Sequence, residues 1–207
     1  MKIKAIASAF KRNKHLIIYT TPNGGQWIGN GNALYSMEGM PELTAEQVLQ
    51  MFDVPEEKRA DWFCDTMQMP EFFCRDDFCN GTEFKQLKTA LEIDGNTLLL
   101  FESGGEIYAF NERLLSPLYD EIETLLYYHT SWVEYNGKRN VALVCNSGLF
   151  TKAIIIPYKL GENAIKELEA LCRFFRSPAH HLMCNPPLKV DPETGEVLTE
   201  DSEQYRL

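Results

Sequence analysis

The sequence predicts an α+β fold, antiparallel sheets with helices on one face, from three observations. Strand-like runs meet at glycine turns, as in HLIIYTT before PNGG and QWIG. Helical patterns follow groups of strands rather than alternating with single strands. Finally, a strand-turn-strand-helix block recurs over residues 16–52, 97–128 and 141–176, a shared pattern more than shared residues.

Taken in order, residues 2–10 alternate in polarity (Lys2, Ile3, Lys4, Ala5, Ile6) and read as a first strand, with HLIIYTT and QWIG completing a meander. LTAEQV then opens a helix. Thr44 caps it, Gln47 three residues on closes a capping box, and Leu43 staples onto Val48. Pro55 stops that helix near Asp53, and a second one is expected in which Ala60, Phe63, Cys64 and Met67 share a face. QMPEFFCRDDFCNG is irregular and reads as a connection.

The second half repeats the plan. LEIDGNTLLLFESGGEIYAF predicts strands parted by Asp94-Gly95 and Gly104-Gly105. Ser116-Pro117 then starts a helix with Leu118, Ile122, Leu125 and Leu126 as its apolar stripe, continuing to about Tyr128. Strands with turns at Asn136-Gly137 and Ser147-Gly148 follow, then an amphipathic helix in GENAIKELEALCRFFR. The expected organisation is an N-terminal α+β half over 1–81, a C-terminal α+β half over 82–180, and a hairpin with an acidic tail over 181–207.

With 44% hydrophobic and 12% aromatic residues in 207, the chain can bury a substantial core. No segment approaches the roughly 20 apolar residues of a membrane helix. The run AIASAF is shorter than a signal-peptide core, so a cytoplasmic protein with reduced thiols and no membrane partner is expected. The formal net charge of −10 opposes wholesale coating of nucleic acid. It is unevenly spread: Lys2, Lys4, Lys11, Arg12 and Lys14 place five positive charges and no acid in the first fourteen residues. Those five residues are the candidate phosphate contacts, Lys2 and Lys4 projecting from one strand face and the others clustering at its turn. Edge-strand protection by lysine is the competing explanation.

Motifs for hydrolysis or nucleotide binding are absent from the sequence: no G-x-S-x-G, Walker loop, H-E-x-x-H or dinucleotide fingerprint. WIGNGN is glycine-rich, but no helix directly follows it to form a phosphate cradle. Cys172, His180, His181 and Cys184 have the chemistry of a zinc set but lack the paired Cys-x2-Cys spacing of common sites, and adjacent histidines rarely share an ion. Cys64, Cys74 and Cys79 have no histidine with them and read as buried thiols. The expectation is therefore a non-enzyme with no cofactor and no metal.

GEIYAFNERLLSPL (residues 105–118) and AIIIPYKL (153–160) together resemble the last domain of bacterial DNA sliding clamps, the ring-forming beta subunits of replicative polymerases. Phe110 and Asn111 match the strand end that leads into a helix, and Ile156, Pro157, Lys159 and Leu160 match the closing strand. The likeness spans roughly 60 residues, a short pattern. QWIGNGNALY with MPELTAEQVLQMFDVPEEK is similar to proteins of prophages and mobile elements in Gram-positive gut bacteria. These resemblances imply clamp-like topology, a homo-oligomer, DNA and protein partners, and an accessory role in DNA replication or maintenance. The acidic balance supports a different expectation, a protein-binding module that inhibits a host defence or nucleic-acid enzyme by imitating nucleic acid.

Overall fold

A computed structural model of the protein describes residues 2–70, 73, 82–121, 125–133, 137, 139–160 and 164. The chain divides into two compact units, Met1–Leu160 and Gly161–Leu207, and this division does not coincide with the boundaries expected at 81/82 and 180/181. Apart from Ala164, the second unit lies outside the described residues, and with it the expected helix in GENAIKELEALCRFFR, the hairpin and the acidic tail.

The first element is a helix, α1 (Ile3–Lys11), where a strand is expected. Ile6, Ala7 and Phe10 are buried along it, and with Ile3 they stand at the i, i+3, i+4, i+7 spacing of one helical face. The alternation in Lys2–Ile6 fits both periods; Ala7 and Phe10 extend only the helical one. No side chain caps the start, but the Lys2 N–H donates to the Pro117 carbonyl at 2.8 Å, which fixes where α1 begins.

Strands β1 (His15–Thr20), β2 (Gln26–Gly29) and β3 (Ala33–Ser36) form the expected meander, with Ile18 opposite Ile28 and Trp27 opposite Ser36. Helix α2 (Ala45–Met51) carries the capping box in full: Thr44 Oγ1 accepts from the Gln47 N–H at 3.3 Å, and Gln47 Oε1 accepts from the Thr44 N–H at 2.8 Å. The helix ends at Phe52, after which Asp53 turns through a positive φ of 52°.

The expected second helix is reduced to one turn, α3 (Glu56–Arg59), and the chain then enters β4 (Phe63–Gln68) parallel to β1. The Phe63 N–H on Lys14 O and the Met69 N–H on Thr20 O lock β4 along β1 at both ends. Phe63 and Met67, expected in a buried helical stripe, are instead 57% and 42% exposed. Backbone pairing along an open edge has overridden their apolar spacing. Alternation along β4 turns the Thr66 N–H away from β1, where Asp65 Oδ1 accepts from it at 2.8 Å at what is, among the described residues, the sheet's edge.

Strands β5 (Lys85–Ile93), β6 (Asn96–Ser103) and β7 (Glu106–Asn111) make a three-stranded antiparallel sheet. Its turns fall at Asp94-Gly95 and Gly104-Gly105, with all four residues at positive φ, as two-residue hairpin turns matched to strand twist require. Asn111 caps α4 (Glu112–Leu115), which tightens into a 3-10 helix over Ser116–Glu121. The helix expected to start at Ser116 and run to Tyr128 is therefore absent: Pro117, which cannot donate, lies in the 3-10 segment, and Leu125 already belongs to β8 (Leu125–Val133). Of the expected stripe, Leu118 is buried in the 3-10 helix, Leu125 and Leu126 lie in β8, and Ile122 is outside the described residues.

β8, β9 (Arg139–Ser147) and β10 (Phe150–Ile155) form the last meander, and β10 pairs with β3. The result is one seven-stranded sheet in the order β4-β1-β2-β3-β10-β9-β8, antiparallel except at β1–β4. It takes strands from both expected halves. Buried residues of α1 (Ile6, Phe10) and α2 (Val48, Leu49) join Leu16, Ile18, Ile28, Tyr35, Leu143 and Cys145 in one core, so helices cover one sheet face. The other face carries a smaller cluster around Ala142, Val144 and Ile154. The fold is α+β with antiparallel sheets, as expected.

Candidate nucleic-acid interface

Helical rather than extended backbone rearranges the five N-terminal basic residues. In a strand Lys2 and Lys4 would share a face; at about 100° per helical residue they diverge by about 200°. Lys2 turns back to Asp120, its Nζ 2.7 Å from the carboxylate. Lys14, at a positive φ of 49°, places its Nζ 2.9 Å from Asp61. Both charges are thus matched at the surface. Lys4 and Lys11 stand seven residues apart, on one exposed face of α1 and about 10 Å from each other along its axis. Neither has an acidic partner among the described residues.

Arg12 caps the end of α1 and is tied to the three-stranded sheet. Its guanidinium donates to Oδ1 of Asn96, the first residue of β6, only 6% exposed. The same oxygen accepts from Asn111 Nδ2 at 3.2 Å, while Asn96 Nδ2 donates to the carbonyls of Ile93 and Asp94, each at 3.3 Å. Asn111 in turn caps α4 by accepting from the Arg113 N–H at 3.0 Å, and the Arg113 guanidinium reaches Gly95 O at 3.4 Å. The basic surface is therefore Lys4, Lys11 and Arg12, with Arg113 added from a distant part of the chain. Arg113 escapes a reading of the sequence because it reaches the hairpin turn that Arg12 also contacts only through the fold; its one signal is the place it holds just after the capping asparagine.

Other candidate chemistry is weaker. Cys172, His180, His181 and Cys184 lie outside the described residues, as do Cys74 and Cys79. Among the described residues no group of histidine, cysteine or acidic side chains is arranged to hold a metal ion. Cys64, read as a buried thiol, is exposed on β4. Its pKa is pushed up by partial burial and by the Glu46 carboxylate, the reverse of what an activated thiol needs. A cleft of about 170 Å³ on the sheet's second face is lined by Tyr19, Leu34, Phe73, Trp132, Ile154 and Ile156. It is smaller than the roughly 300–1,000 Å³ of small-molecule sites and brings no acid-base pair together. Among the described residues no helix is long and apolar enough to cross a membrane.

One titratable group sits where the two sheets meet. His129 of β8 packs on Phe84 at 5.2 Å and Tyr108 at 5.6 Å, and its buried Nε2 has no hydrogen-bond partner among the described residues. Burial and then the Arg139 charge lower its pKa from 6.5, against a smaller opposing pull from Glu106. The unfolded chain therefore binds this proton at higher pH than the folded one, and stability falls as pH drops from about 6.5 toward the folded-state pKa. Urea midpoints at pH 8 and pH 5.5 should differ, and His129→Phe should shrink that difference; an unchanged difference would remove His129 as its source.

These elements define an α+β protein with a basic helical face, an asparagine junction seated on the buried Asn96 and no assembled catalytic constellation among the described residues. No family model, curated protein or solved structure matches the chain.

Proposed function

We propose that the protein is a non-catalytic cytoplasmic accessory of DNA replication or maintenance, belonging to a phage or mobile element and contacting the DNA backbone through α1. The observation that carries this reading is the exposed face with Lys4 and Lys11, unmatched by acids among the described residues, and Arg12 held beside them. The clamp-like stretches ending at Leu118 and Leu160 support a ring-forming homo-oligomer. The net charge of −10 favours this orientation, since the rest of the surface is repelled by phosphate.

Three phosphate contacts give a salt slope of about −2.7, so binding of a labelled duplex should weaken roughly 40-fold between 50 and 200 mM salt. Lys4→Glu with Lys11→Glu should reduce affinity at least about tenfold at 50 mM and flatten the slope by about 2. A wild-type protein that ignores DNA at 50 mM, or a double variant that binds as well, defeats the reading. Light scattering that finds a strict monomer removes its ring-forming part.

A second reading has its own observation. Leu149 at the β9–β10 turn is 98% exposed and Phe150 beside it 55% exposed, an apolar tip suited to a protein partner. On this reading the chain is an acidic module that inhibits a host defence or nucleic-acid enzyme. The same titration separates the two, because this module retains a basic protein and leaves the duplex free.

A further inference from the structure

We propose that Arg12 and Arg113 form a phosphate-binding fork at the Asp94-Gly95 turn. The two guanidinium groups come from different elements, α1 and α4, yet donate to adjoining residues of one hairpin, Asn96 and Gly95. Each spends one donor there. A guanidinium carries five N–H groups, so about eight remain between the two. Both arginines are exposed, and neither meets a carboxylate within ion-pair distance among the described residues.

What makes this a built site rather than a pair of surface charges is the support beneath it. Asn96 is buried with both of its amide atoms satisfied, and it fixes Arg12 and Asn111 through one oxygen. Asn111 uses its own oxygen to hold the Arg113 N–H. Asn96 thus holds the Arg12 guanidinium directly, while Asn111 fixes the Arg113 backbone and the Gly95 carbonyl receives the Arg113 guanidinium, which lowers the ordering cost of binding. At Gly95 the absent side chain leaves open space, with nothing within 4 Å of where a Cβ would stand.

Two planar forks of total charge +2 suit a tetrahedral dianion better than a carboxylate, which one fork would satisfy alone. The ligand is therefore a phosphoryl group, on a nucleic-acid backbone or at a phosphate terminus. Asp94 is the one acid on the turn itself and weakens the site. Its positive φ is tolerated by asparagine, so Asp94→Asn tests this without backbone strain.

The test is an arginine Nε–H NMR titration of the full chain with inorganic phosphate at constant ionic strength. Arg12 and Arg113 should shift saturably while Arg59 and Arg139 stay still. Arg113→Gln should weaken the Arg12 response roughly tenfold, the loss of a charge-assisted contact, and Asp94→Asn should tighten it about threefold. Equal shifts at Arg59 and Arg139, no saturation, or an unaltered titration in Arg113→Gln would overturn the fork. A dinucleotide with and without a 5′-phosphate identifies the source: a gain from the added group points to a terminus, equal binding to the backbone. The fork shares Arg12 with the proposed DNA face, but the two fail separately. Phosphate bound without DNA leaves only the fork; DNA bound through Lys4 and Lys11, with Arg113→Gln without effect, leaves only the face.

Discussion

Phe84→Ala lowers the stability of the fold by about 3–5 kcal/mol, the range for removing a buried aromatic whose space cannot close. Phe84 is fully enclosed, edge-on to Phe101 at 6.1 Å, Tyr108 at 5.3 Å, Phe110 at 5.6 Å and His129 at 5.2 Å. Those partners come from β6, β7 and β8, so one ring joins the three-stranded sheet to the seven-stranded one. The backbone adds to this, with the Phe84 N–H on Tyr127 O at 2.8 Å and the His129 N–H on Thr82 O at 2.7 Å. Edge-to-face pairs add roughly 0.5–1.5 kcal/mol each beyond burial, which puts the expected loss toward the top of the range. Phe84→Leu, which keeps most of the volume, should cost markedly less. Urea unfolding of the three proteins measures both values. A loss under about 1 kcal/mol for the alanine variant would mean that the rings close over the gap and that the sheets are joined elsewhere.

Elements whose local chemistry and tertiary setting agree were readable from the residues alone. The Thr44–Gln47 box and the Asp94-Gly95 and Gly104-Gly105 turns depend on interactions within a few positions, and the structure places them as expected. The failures occur where a short pattern satisfies two periods. Lys2–Ile6 alternates like a strand, and only Ala7 and Phe10 betray the helix. Phe63, Cys64 and Met67 have helical spacing, but a parallel edge on β1 was available, and a pairing with residues nearly fifty positions away leaves no local trace. Likewise, Leu125 and Leu126 continue an apolar stripe from Leu118, yet β8 takes them because β9 offers a full antiparallel ladder from Leu125 to Val133.

The candidate site divides in the same way. Lys4, Lys11 and Arg12 were legible as a basic cluster because they are close in sequence. That Lys2 and Lys14 are matched by Asp120 and Asp61 was not, because those acids arrive through the fold. Phe110 and Asn111, which carried the clamp resemblance, have a physical role of their own: Phe110 fills the core beneath Phe84, and Asn111 links the α4 cap to Asn96.

Asn96→Ala should cost about 2–3 kcal/mol and loosen the basic face at the same time. The alanine leaves the carbonyls of Ile93 and Asp94 without their side-chain donor and Asn111 Nδ2 without its acceptor. It also cuts the tie between Arg12 at the end of α1 and the three-stranded sheet. An unmet buried polar group costs about 1–3 kcal/mol, and water reaching the turn offsets part of the sum. Asn96→Asp separates the two effects. Its carboxylate still accepts from Arg12 and Asn111, so α1 stays attached, but the donors to Ile93 and Asp94 are lost and Arg12 is neutralised. The aspartate variant should therefore be more stable than the alanine variant, while binding DNA and phosphate more weakly than wild type. Hydrogen exchange supplies the readout for position: amides in the last turn of α1 should exchange faster in Asn96→Ala and stay near wild type in Asn96→Asp. If both variants protect α1 equally, Asn96 is not what holds Arg12, and the hydrophobic seat of Ile6 and Phe10 fixes the helix without it.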